Sequence, residues 1–77
     1  MESKEKIRKF LMENKNIKEL KDDDDLFKCG FVDSLFAFKL VLFLEVEFKI
    51  KIKNKDINEE NFRTIQNIDE TVQRLSR

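Results

Sequence analysis

Between Met1 and Arg77 there is one glycine, Gly30, and no proline. Folds built from short strands rely on tight turns, which draw on Gly, Pro and Asn-Gly pairs. With that punctuation missing, the chain is expected to be all-α. Its 77 residues suit one domain, residues 1–77, with a single small core and no cleft between two halves. That core must come from Ile, Leu, Val and eight Phe.

Ile7, Phe10 and Leu11 stand at i, i+3, i+4 among Lys, Arg and Glu, which predicts a first helix capped by Ser3 and fading near Asn14 to Asn16. A long connection to Asp33 follows. It holds Ile17, Leu20, Leu26, Phe27, Phe31 and Val32, too apolar a set for a free linker. A loop of this length in a small domain needs packing residues of its own; Leu26, Phe27 and Phe31 are expected to supply them while Asp22 to Asp25 stay in water.

"GFVDSLFAFKL", residues 30–40, opens the second helix, with Asp33 as its N-cap and its end near Phe48. At about 100° per residue it has two apolar faces. One carries Ala37, Leu40, Val41, Leu44 and Phe48. The other carries Leu35, Phe38, Leu42 and Val46, with Lys39 and Lys49 on its flanks and Phe36 and Phe43 to the side. So short a chain buries one face, and the exposed one is expected to meet a partner. In "KIKIKNK", residues 49–55, the alternation suits an extended connector with Ile50 and Ile52 inward, since a lone strand has nothing to pair with. Asn58 should cap a short helix ending at Phe62. Thr64 should cap a last helix with Ile65, Ile68, Val72 and Leu75 on one stripe. The expected bundle core is Phe10, Leu40, Leu44, Phe48, Phe62, Ile65, Ile68 and Val72.

Composition also removes functions. Without histidine the chain lacks the usual neutral-pH base and the commonest zinc ligand, so no catalytic residue of its own and no metal site are expected. Asp22 to Asp25 lack the spacing of a calcium loop and read as a charge run. A single cysteine, Cys29, forms no internal disulfide and reads as an inert thiol. Apolar runs such as "VLFL" fall far short of the roughly 20 residues of a membrane span, and "MESKEKIRKF" is no signal peptide. A free-standing cytoplasmic monomer is expected. Charge sums to zero, but residues 22–48 are acidic and both ends basic. That pattern argues against nucleic acid, as does the lack of aromatics among Lys49, Lys51, Lys53 and Lys55.

"GFVDSL", the apolar helix behind it, "LVLFLEVEFKIKI" and "ENFRTIQNI" together resemble the acyl and peptidyl carrier protein family, the phosphopantetheine-binding domains, over nearly the whole chain. The resemblance implies a small four-helix bundle, three main helices and one short. It also implies that Ser34 is the attachment point for 4'-phosphopantetheine, taken from coenzyme A by a phosphopantetheinyl transferase that also reads Asp33. The arm would carry an acyl or aminoacyl thioester to loading and processing enzymes. Those partners would dock on Leu35, Phe38, Lys39, Leu42, Glu45 and Val46. In carriers of fatty acid synthesis the position five residues after the serine is typically acidic; here it is Lys39, which favours a dedicated aminoacyl or peptidyl pathway. Two other readings use the same residues: a cofactor-free helical interaction module, and a nucleic-acid binder working through the four lysines.

Overall fold

The structure, a computed structural model, describes residues 2–76. Its elements are α1 (Glu2–Lys15), α2 (Ser34–Phe48), a single 3-10 turn (Asn54–Asp56), α3 (Glu59–Phe62) and α4 (Ile65–Leu75). Among the described residues there is no strand, and the "KIKIK" segment is extended and unpaired, with Ile50 and Ile52 buried. The bundle encloses Ile7 and Leu11 of α1, Leu40 and Leu44 of α2, Phe62 of α3, and Ile65, Ile68 and Val72 of α4, all essentially inaccessible to water.

Three caps fall where the side-chain spacing places them. Asp33 accepts the amide of Phe36 at 2.8 Å, Asn58 that of Asn61 at 2.8 Å, and Thr64 that of Asn67 at 3.0 Å. Each satisfies an amide the helix ladder leaves free, an effect of about 1 kcal/mol. Ser3 is a correction: it lies inside α1 and its hydroxyl donates to the buried Asp69 of α4. Phe10 and Phe48 are also corrected. They are half-buried at the margin of the core, where the Phe10 ring stacks on Phe43 at 4.1 Å and Phe48 meets Phe43 edge-on at 6.5 Å.

The connection from α1 to α2 is tied down at both sides. Leu20, Leu26 and Val32 are buried, with Phe27 and Phe31 partly so. The Leu26 amide donates to the carbonyl of Arg63 at 2.7 Å, and the Gln66 amide to that of Asp22 at 3.1 Å, which clips the loop to the start of α4. The four aspartates are not simply a solvated run. Asp22 pairs with Arg8 and lies 3.5 Å from Lys4; Asp24 accepts the Lys21 amide; Asp25 accepts the amides of Phe27 and Lys28 at 3.1 and 2.9 Å. Short carboxylates bind neighbouring backbone readily, and that stabilises turns.

A hydrogen-exchange measurement checks this loop. The amides of Leu26, Phe31 and Val32, the last two donating to the Leu26 carbonyl at 2.9 and 3.2 Å, should exchange at least tenfold more slowly than the exposed amide of Asp23. Uniformly fast exchange over residues 22–32 would mean that the loop does not hold the start of α2.

Candidate functional site

Ser34 is the first residue of α2 and is exposed. Two local devices set its position. Gly30 takes φ +78°, the left-handed conformation that glycine adopts without a Cβ penalty, and turns the loop back toward the bundle. Val32, buried two residues before Ser34, then anchors the strand that enters the helix. Asp33 follows with extended backbone and caps Phe36, so its carboxylate is already engaged by the helix. The amides of Ser34 and Leu35 remain outside the helix ladder at the positive end of its dipole.

Beside Ser34 opens a cleft of about 220 Å³ between α2 and α3. Its apolar walls include Phe27, Ala37, Phe38, Ile57 and Phe62, and Asn58 and Glu59 stand among the polar lining. No histidine exists in the chain to serve as a base for the serine. The arrangement presents an accessible hydroxyl next to free amides and an apolar slot. It suits a serine modified by another protein, because nothing around it activates the hydroxyl.

Down the helix from Ser34, Leu35, Phe38, Leu42 and Val46 are 83%, 59%, 63% and 78% exposed. Their separation from the buried Ala37, Leu40, Val41 and Leu44 follows the two-face reading of the sequence; Phe36, assigned to the side, is buried. Lys39 is exposed beside the apolar row. Glu45 is placed differently from a free surface acid: its carboxylate accepts the Ile52 amide at 2.9 Å. Glu47 pairs with Lys6 of α1 at 3.0 Å. The sequence could not point to either engagement, since both depend on how remote segments pack.

Cys29 is exposed and unbonded to another cysteine. Among the described residues no group of three His, Cys, Asp or Glu could hold a metal ion, and no helix is long and apolar enough to cross a membrane.

Comparison with known proteins gives relatives of one kind. No family model matches the chain. It is 38% identical over 53 residues to a D-alanyl carrier protein of Streptococcus uberis, covering 69% of this chain and 67% of that one. A D-alanyl carrier protein of Streptococcus pyogenes serotype M5 is 34% identical with the same coverage. A protein of Serratia sp. named probable acyl carrier protein PigG is 44% identical over 50 residues, 65% of this chain and 58% of the relative, less than two thirds of its length. Curated relatives named as carriers, at this identity and over this share of an all-helical chain, decide the family: the chain belongs to the carrier proteins.

Proposed function

We propose that this protein tethers an acyl or aminoacyl group through a 4'-phosphopantetheine arm on Ser34 and presents it to partner enzymes. The observation that carries the reading is the exposed Ser34 at the first position of α2, behind the Asp33 cap, in a chain whose relatives are carriers. The residues fit the group. A phosphodiester at this place would lie against the free amides and positive dipole end of a 15-residue helix, and the cleft next to Ser34 offers apolar surface to the chain beyond it. When bound, the arm supplies a terminal thiol that holds the cargo as a thioester.

Attachment is a transfer in which Ser34 is the nucleophile. Its Oγ attacks the phosphorus of coenzyme A that bears the pantetheine chain. The new O–P bond forms as the bond to the adenosine bisphosphate half breaks, and the hydroxyl proton passes to a base of the transferase. The chain supplies position; the transferase supplies base and magnesium.

For cargo, we favour an aminoacyl group. Two of the relatives are named for D-alanyl, and Lys39 stands where carriers of fatty acid synthesis typically present an acid. Loading takes place in the cytoplasm in this reading, with the protein acting as a monomer and the exposed row of α2 as its docking face.

The test is intact-mass spectrometry after incubation with coenzyme A, magnesium and a permissive phosphopantetheinyl transferase. One arm should be added and fragmentation should locate it on Ser34. A chain that gains nothing, or gains the arm elsewhere, would leave a cofactor-free interaction module as the better reading.

A further inference from the structure

The apolar row of α2 has a charged border of one sign. Lys39 lies on one edge of the row and Glu45 on the other, at about 100° per residue. The Ile52 amide donates to Glu45, so the connector after α2 runs back along that second edge. Ile50 and Ile52 are buried, and the alternating Lys51 and Lys53 are exposed. Ammonium groups therefore border the row on both sides. The acids that could have balanced them are engaged within the chain, Glu45 by a backbone amide and Glu47 by Lys6.

Resting on the carrier reading, we propose that the loading enzyme meets this face with an apolar groove rimmed by carboxylates, a partner of acidic rather than basic charge. Leu35, Leu42 and Val46 would fill the groove while Lys39, Lys51 and Lys53 face its rim. Apolar contact at the centre holds a complex, and charge at the rim governs encounter and rejects wrong partners.

Two other occupants fit less well. A second copy docked through the same face would bring two lysine-bordered edges together, and like charges repel. An anionic lipid surface would accept the lysines and the row, but it would also press against the exposed Asp33 and Glu59 next to Ser34. A loading enzyme must in any case reach the arm on Ser34, and Ser34 adjoins the row.

The experiment uses the arm-bearing protein, prepared and verified by mass, with the amino-acid-activating enzyme purified from the source cells by its ability to load that arm. The triple variant K39E/K51E/K53E should lower kcat/KM for loading by about tenfold or more at low salt, with kcat little changed, and the neutral K39Q/K51Q/K53Q should fall between it and the parent. Added salt should slow the parent and not the Glu variant. Phe38→Ala should weaken loading by a factor that salt hardly alters. Faster loading of the Glu variant means a basic partner and overturns the proposal, as does equal loading of all three proteins. Lysine-dependent sedimentation with phosphatidylglycerol vesicles at physiological salt, or a dimer that Leu42→Lys abolishes, would assign the face to lipid or to a second copy and likewise overturn it. Failure of the carrier reading is seen separately, as absence of the arm from Ser34 before any loading is attempted.

Discussion

Ser34→Ala, incubated with coenzyme A, magnesium and the transferase, stays at its starting mass while circular dichroism and melting match the parent. The two halves of that result have separate causes. Ser34 is exposed and occupies the first position of α2, so alanine removes no buried contact. The cap on Phe36 comes from Asp33 and survives. Alanine is also a strong helix former, so stability should move by no more than about 0.5 kcal/mol. What disappears is the only nucleophile at the site. Asp33→Ala gives a contrasting result: it loses the cap, at about 1 kcal/mol, and should slow attachment of the arm without abolishing it. Full loading of Ser34→Ala would place the arm on another residue and end the assignment of Ser34.

Most of the site could be read in the sequence because its parts are local. A cap is a relation between residues three apart, so Asp33, Asn58 and Thr64 declared three helix starts by spacing alone. The two faces of α2 followed from the 3.6-residue period, and the inward Ile50 and Ile52 from a period of two. The positive φ of Gly30 followed from its being the single residue without a Cβ.

What could not be read is what distant residues decide. Ser3 satisfies every local criterion for a cap, yet its partner is Asp69, 66 residues away. Asp22 in a run of four acids looks solvated until α1 packs Arg8 against it. Glu45 looks like a free surface acid until the connector brings the Ile52 amide to it. Lys49, at φ +56°, ends α2 in the left-handed conformation usually left to glycine; an extended segment whose Ile50 must turn inward right after the helix requires that sharp a change of direction. The charge of the docking face thus depends on tertiary structure, although its apolar row does not.

Leu44→Ala tests the face assignment at its most buried point. Leu44 has no exposed surface and shares the core with Leu11, Leu40 and Ile68. Truncating a leucine so enclosed removes its transfer free energy and leaves a cavity, which together cost about 2 to 5 kcal/mol. A domain of this size has roughly 4 to 12 kcal/mol in all, so the variant should melt at least about 10 °C below the parent and could be unfolded at 37 °C. Leu42→Ala, two residues earlier on the same helix, is the control. Its side chain is 63% exposed, and the change should stay within about 0.5 kcal/mol. The pair separates burial from helix propensity, because the residue exchanged is the same and both positions lie in the interior of α2. If the two variants melt alike, Leu44 is not in the core. The row of Leu35, Phe38, Leu42 and Val46 would then be the packed side, and no partner could dock on it.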